Sequence, residues 1–221
     1  MGAWAVSPRF AAGKLQGAPT LEDKIDVFED QVTGWVLNHA SALDAGNYAL
    51  REHSGIAILM LVTPYFEQIA SYLRGEDSNG HSGEFFRHGV RAVFPNMDDQ
   101  FRTQGVRDPA AAAEAVMGVL YSEVRCGLFH EAMIRGRILI RRDTASLGVM
   151  IERDTGEIGA VVVDPFLLLG NVRAHFEGYI CRLRDPAEHE LRRNFEAFWN
   201  IRMARPAAVL PPPVPPAAAA P

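Results

Sequence analysis

The segment "AAAAEAVMGVLYSEVRCGLF", residues 110–129, has the residue pattern of a long helix with one apolar face. Its larger apolar side chains recur every four positions and form one stripe: Val116, Leu120, Val124 and Leu128. The dipeptide Asp108-Pro109 precedes it. An Asp at the N-cap accepts free backbone N–H groups, and a Pro at the first helical position has no N–H to satisfy. The segment therefore predicts a helix that packs its stripe into a core.

Further helices are predicted on both sides of this segment. The same start signal recurs at Asp164-Pro165 and Asp185-Pro186 and predicts two final helices. Upstream, apolar spacing predicts helices from Thr20 to about residue 46, from about Asn47 to Leu73, and from Glu84 to Val93. Pro64 lies inside the second of these and predicts a kink or a division.

Three short β-rich segments lie between the predicted helices. They are "RILIRR", "LGVMIE" and "GAVVV", within residues 137–163, and the turn Asp154-Thr155-Gly156 joins the last two. We therefore expect a small antiparallel β insertion at about 137–163, before the last helices. The fold class predicted is mainly α, a bundle of four to five helices with this insertion.

The length and composition suit one soluble domain. The chain has 221 residues, which is enough for a sizeable core. Residues 1–19 show no periodicity and predict a flexible tail, residues 20–204 form the predicted helical domain, and the Pro/Ala-rich residues 205–221 predict a disordered tail. The net charge of -5 gives no general attraction to nucleic acid, so such binding would need a local basic patch.

The sequence indicates no cofactor, metal site or membrane segment. The two cysteines, Cys126 and Cys181, form neither a disulfide framework nor a metal-ligand pattern. The longest apolar run, residues 55–62, is too short to cross a bilayer, and the N-terminus lacks the pattern of a signal peptide. We therefore expect a cytoplasmic protein.

The candidate site is the pair Arg125 and His130, five positions apart in the helical segment. With 20 Arg and seven His, about two Arg-His pairs with four to six intervening residues should occur by chance, and the chain has four. Spacing alone therefore decides nothing. The other three pairs cross a Gly-rich loop or the Asp185-Pro186 junction, whereas Val124 and Leu128 flank this one and predict a rigid backbone.

The string "YSEVRCGLFHEA", residues 121–132, resembles the active-site segment of the HEPN superfamily. These are helical-bundle proteins that include many RNA-cleaving toxins and defence nucleases. Their signature is an Arg followed after four to six residues by a His, late in the bundle. The resemblance is sharp over residues 121–131 and loose over residues 20–204. Members commonly have a polar residue, often Asn, after the Arg, where this chain has Cys126.

The resemblance implies a HEPN-like bundle and a metal-independent endoribonuclease. In such a reaction the 2′-hydroxyl of RNA attacks the adjacent phosphorus and leaves a cyclic 2′,3′-phosphate. His130 would transfer protons because an imidazole titrates near neutral pH, and Arg125 would bind the phosphate oxygens with its planar fork of donors. The resemblance also implies a homodimer that brings two copies of the motif into one cleft.

Neighbouring residues are candidates for supporting roles. On an ideal helix, positions five apart point about 140° away from each other, so a loosened turn at Gly127, a long reach by Arg125 or a site shared between subunits is required. Glu123 could orient the imidazole or pair with Arg125, and Tyr121 could contact RNA. If the pair is only structural, Arg125 is expected to bind Glu123 or Glu131.

A basic cluster follows the motif. If "RILIRR" is a strand, Arg137 and Arg141 share one face and Ile138 and Ile140 take the other. Arg135, Arg137 and Arg141 are thus candidate RNA-binding residues, with a solvated strand face as the alternative. For the whole chain, the alternative to a nuclease is a non-catalytic helical interaction module of the same fold, a partner in a toxin–antitoxin or defence pair.

Overall fold

The computed structural model describes residues 5–46, 53–131, 133–134, 136–152, 154 and 157–204, and this part of the chain is mainly helical with a small sheet. It contains seven helices, two more than the upper number predicted. They are α1 (residues 21–44), α2 (Gly55–Arg74), α3 (Ser82–Val93), α4 (Met97–Thr103), α5 (residues 109–131), α6 (Pro165–Arg184) and α7 (His189–Ala204). The predicted C-terminal tail and the start of the second predicted helix lie outside the described residues.

Helix α1 begins at the predicted cap. The Thr20 hydroxyl accepts a hydrogen bond from the backbone N–H of Asp23, whose carboxylate accepts one from the backbone N–H of Thr20. The helix is continuous but changes its winding, with an α-helical start at Leu21–Asp30, a π-helical middle at Gln31–Leu37 and an α-helical end at Asn38–Asp44.

The described part of the segment before α1 packs against that helix, where the sequence pattern predicted a flexible tail. Arg9 forms an ion pair of 2.6 Å with the buried carboxylate of Asp30. The Gln31 side chain donates a hydrogen bond to the Val6 carbonyl, and Gly34 lets Pro8 approach because a Cβ there would overlap the proline ring. These contacts leave no composition signal, so the sequence pattern did not predict them.

Helix α2 crosses the centre of the fold. Its buried residues include Ile58, Tyr65, Ile69 and Tyr72. Pro64 lies on the exposed side and does not divide the helix, so the predicted division is wrong. By length and apolarity α2 also satisfies the criteria for a membrane span, which a count of the unbroken apolar run alone missed. Because 56% of its most apolar 18-residue stretch is buried inside the fold, this is weak evidence for a membrane segment.

Two of the three Asp-Pro helix starts are confirmed. Asp108 accepts a hydrogen bond from the N–H of Ala111 at the start of α5. The buried Asp164 accepts from Phe166 and Leu167 at the start of α6, and also from the N–H of Asp143. The third start is wrong, because Asp185 caps only a turn through Ala187, and α7 begins at His189.

The β insertion forms one three-stranded sheet, with β1 at Ile138–Ile140, β2 at Leu147–Ile151 and β3 at Ile158–Val163. The spatial order is β1-β3-β2. Strand β2 pairs with β3 antiparallel as predicted, but β1 pairs with β3 parallel, so an entirely antiparallel sheet is wrong. Strand β3 contributes the buried Val161–Val163 run and takes the central place, with one neighbour on each side, which accounts for the strand order. The predicted turn at 154–156 lies mostly outside the described residues.

One hydrophobic core joins the helices and the sheet. Its centre is an aromatic cluster in which the Phe28 ring of α1 lies 4.4 Å from that of Tyr72 and 5.6 Å from that of Phe176. Phe195 of α7 stacks on Tyr72 at 5.1 Å. The predicted stripe of α5 is confirmed, since Val116, Leu120, Val124 and Leu128 are all buried. The opposite side of α5 therefore faces away from the core.

Candidate active site

An open groove of 630 Å³ lies among α2, α5, α7 and the loop that follows α2. Its polar lining consists of Glu67, Gln68, Ser71, Asp77, Ser78, Arg125, His130 and Arg202. Pro64 and the aromatic rings of Phe129 and Phe198 provide its apolar lining. The groove thus combines positive charge, carboxylates, an imidazole and aromatic surface that solvent can reach.

The structure brings Arg125 and His130 of one chain into this groove. Both are accessible, since the Arg125 side chain is 26% exposed and His130 is exposed. Helix α5 is π-helical over Leu120–Cys126, immediately before the final α-helical turn Gly127–Glu131. Arg125 thus lies at the end of the π-helical segment and His130 in the α-helical turn that follows, so the two positions are not on one ideal α-helix. The backbone of Gly127 stays helical, with φ -59° and ψ -49°.

Arg125 is held by a carboxylate that the sequence did not indicate. Its Nη2 donates to Glu67 Oε2 at 3.0 Å, and Ser78 Oγ donates to the other oxygen of Glu67 at 2.7 Å. Arg125 is thus paired with a residue of α2 and not with the predicted Glu123 or Glu131. Burial lowers the pKa of Arg125, but the charge and hydrogen bond of Glu67, with smaller contributions from Cys126, outweigh it and leave this pKa raised, so the guanidinium stays charged.

Tyr121 contacts Arg125 through the face of its ring. The guanidinium carbon of Arg125 lies 5.8 Å from the centre of the Tyr121 ring, within the range of a cation–π contact. The Tyr121 hydroxyl shares a hydrogen bond of 2.6 Å with Ser82, and its ring packs 5.5 Å from that of Phe86. Tyr121 is not among the lining residues of the groove, so its position suits it to orient Arg125.

The remaining predicted residues lie outside the groove lining. Glu123 is partly exposed and Glu131 is exposed, and neither lines the groove. Ile138 and Ile140 pack against the core as predicted, while Arg137 and Arg141 flank β1 and are exposed. Arg141 pairs with Asp143 at 2.8 Å, so part of its charge is compensated. Arg135 lies outside the described residues, and RNA binding by this cluster stays a prediction.

The structure adds groove residues that no local motif could indicate. Glu67 lies 58 positions before Arg125, and Arg202 and Phe198 lie on the last helix, so only the packing of three helices brings them together. Phe198 is fixed by an edge-to-face contact of 4.8 Å with Tyr72. Within the described residues, no group of three His, Cys, Asp or Glu side chains is placed to hold a metal ion.

Comparison of the chain with protein-family models, with curated proteins and with solved structures finds no match. The resemblance to the HEPN superfamily therefore rests on the residues of the motif alone.

Proposed function

We propose that the chain is a HEPN-like, metal-independent endoribonuclease in which Arg125 and His130 act on one RNA phosphate. The observation that carries the proposal is that both side chains line the same solvent-open groove. A proton-transferring group and a phosphate-binding group must reach one substrate, and a shared groove meets that requirement. The sharp resemblance over residues 121–131 supports the same assignment.

The groove has the chemistry that a phosphodiester requires. Arg125 remains charged and offers five N–H donors, so the bond to Glu67 leaves others for phosphate oxygens. Arg202 adds a second positive charge along the groove. Phe129 is 48% exposed, and an exposed aromatic ring is a surface on which an unstacked base can lie. These features support single-stranded RNA as the substrate class.

Incubation of the purified protein with a labelled single-stranded RNA in excess chelator tests the proposal. We expect cleavage products that end in a cyclic 2′,3′-phosphate, and we expect His130→Ala to lower the rate by about 10²- to 10⁴-fold, the usual contribution of general acid–base catalysis. His189→Ala is the matched control because His189 is exposed on α7 and does not line the groove. Equal rates for His130→Ala and the wild type would contradict the proposal.

We also propose that the partner of this chain is a second copy of itself. Ile56 and Met60 of α2 are 46% and 41% exposed and lie four residues apart, so they share one face. That face continues through exposed Pro64 into the groove, where Phe129 adds further apolar surface. The same surface favours the second candidate function, a non-catalytic interaction module. The His130→Ala experiment separates the two functions, because only the nuclease depends on that imidazole.

A further inference from the structure

Glu67 is a carboxylate of the groove that neither the motif nor the proposed mechanism uses. Its side chain is 19% exposed and lines the groove. One oxygen is fixed by Ser78 at 2.7 Å and the other by Arg125 at 3.0 Å, so donors from two other parts of the chain set its orientation. A carboxylate held beside the proposed phosphate-binding arginine requires an explanation, since its negative charge repels that of the phosphate.

RNA cleavage by the 2′-hydroxyl needs two proton transfers, one from the attacking oxygen and one to the leaving oxygen. A single imidazole can perform only one of them at a time. Among the residues that the structure describes, the other ionisable groups that line the groove are Glu67, Asp77, Arg125 and Arg202. Arginine does not lose its proton in proteins, which leaves the two carboxylates.

The contact with Arg125 distinguishes Glu67 from Asp77. Glu67 accepts a hydrogen bond from the Arg125 guanidinium, so a phosphate bound to the other N–H groups of the same guanidinium would lie close to Glu67. Carboxylates are ordinarily ionised near neutral pH and can accept a proton, while an imidazole is partly protonated there and can donate one. The titratable or charged groups of the described residues that share the groove with Glu67 are Arg125 and His130 of α5, Arg202 of α7 and Asp77 of the loop.

Building on the proposed nuclease function, we propose that Glu67 is the general base and His130 the general acid, so that one chain contains the complete catalytic set. The Glu67 carboxylate takes the proton of the 2′-hydroxyl as the 2′-oxygen bonds to phosphorus. The bond between phosphorus and the 5′-oxygen breaks, and the His130 imidazolium gives its proton to that oxygen. The products are a cyclic 2′,3′-phosphate and a 5′-hydroxyl. Glu67, now protonated, and His130, now neutral, then exchange protons with water.

The variant Glu67→Gln tests the proposal, because it keeps the size of the side chain and removes the base. We expect its cleavage rate at saturating RNA to fall by about 10²- to 10⁴-fold. We expect its binding of a 2′-deoxy analogue, which lacks the attacking hydroxyl, to be at least as tight as that of the wild type, since a negative charge beside Arg125 is lost. Glu84→Gln is the matched control, because Glu84 pairs with Arg74 at 2.6 Å outside the groove.

The pH dependence separates a base from a carboxylate that only holds Arg125. The wild-type cleavage rate should fall at low pH as the base becomes protonated. This low-pH limb of the pH–rate profile should be absent from the residual activity of Glu67→Gln. Glu67→Asp, which keeps a carboxylate, should be slower than the wild type but retain the limb. If Glu67→Gln does not fold, Glu67→Asp still decides, because a profile without the limb would overturn the proposal. Cleavage by folded Glu67→Gln within threefold of the wild type would also overturn it.

Mixing two inactive variants tests whether the set lies within one chain. Glu67→Gln and His130→Ala each lack one member, so a mixture should stay inactive if both groups must come from the same chain. Recovery of activity would mean that Glu67 acts with His130 of another copy, and would overturn the within-chain set. If the wild type does not cut RNA, or His130→Ala cuts equally well, the nuclease function itself fails. If His130→Ala loses cleavage activity and Glu67→Gln does not, the nuclease function stands and only the role of Glu67 as the general base is rejected.

Discussion

The hydrogen bond between Tyr65 and His175 links α2 to α6 at the level of single residues. Tyr65 Oη and His175 Nδ1 are 2.7 Å apart, and the two rings meet edge to face at 5.8 Å. Burial lowers the pKa of His175 below its usual 6.5, and the nearby positive charge of Arg182 acts in the same direction. The folded protein therefore favours the neutral imidazole, which can share a proton with the tyrosine hydroxyl.

This lowered pKa predicts a loss of stability in mild acid. Below about pH 6.5 the unfolded chain binds the His175 proton more readily than the folded chain does, so the free energy of unfolding falls as the pH falls. Urea unfolding at pH 7.5 and 5.5 measures the change. We expect a smaller change in His175→Gln than in the wild type, and an unaltered change in His189→Gln, which replaces an exposed histidine. Equal changes in all three proteins would contradict the prediction.

At this scale the sequence indicated the residues of the candidate site only as far as local pattern reaches. Arg125 and His130 lie in one short motif, and the burial of Val124 and Leu128 followed from their spacing. Glu67 could not be found, because the motif holds two nearer carboxylates, Glu123 and Glu131, and only the packing of α2 on α5 selects the more distant one. Ion pairs between distant helices leave no periodic signal in a single sequence.

At the scale of elements, caps and apolar spacing predicted the long helices well. The capping box at Thr20 and the capped starts at Asp108 and Asp164 are present. At Asp185 the same dipeptide begins a turn and not a helix. The Asp185 carboxylate accepts a hydrogen bond from the N–H of Ala187, and the helix begins two residues later, at His189. The π-helical segment in α5 was not predictable, since Leu120 and Val124 have a spacing that suits either winding. The parallel pairing of β1 depends on contacts 23 residues apart, such as Ile138 with Val161.

The crossing of α2 and α3 predicts a glycine that cannot be replaced. Gly89 of α3 is buried, and a Cβ there would overlap the carbonyl oxygen of Phe66. The obstacle is backbone, so the helices would have to separate, and we expect Gly89→Ala to lower the free energy of unfolding by at least about 2 kcal/mol. Thermal and urea unfolding measure this change.

Gly178→Ala is the matched control for Gly89→Ala. Gly178 lies inside α6, is exposed, and has no atom within 4 Å of an added Cβ. Because alanine favours a helix over glycine, we expect this variant to gain about 0.5–1 kcal/mol. If Gly89→Ala were as stable as the wild type, the two helices would not be as closely packed as the structure has them.

At the scale of the whole molecule, the net charge of -5 is compatible with local positive charge in the groove, which holds two arginines and two carboxylates. Arg125 and Arg202 place positive charge in the groove, whereas many acidic side chains of the described surface are engaged by other arginines, such as Asp26 and Glu29 by Arg184. Binding of RNA would therefore depend on the local groove and not on the overall charge. The apolar face of α2 borders that groove, so a partner that covers it would also shape access to the site.

A second copy of the chain on this apolar face predicts a particle of twice 24.3 kDa in solution. Met60→Glu would place a charge in the centre of the contact, and burial of an unpaired charge strongly disfavours association. Sedimentation at tens of micromolar protein should therefore give a dimer for the wild type and a monomer for Met60→Glu. Met150→Glu is the matched control, because Met150 is 46% exposed on β2, outside the face of α2. A monomeric wild type would reject the dimer, and a dimeric Met60→Glu would place the contact on another surface.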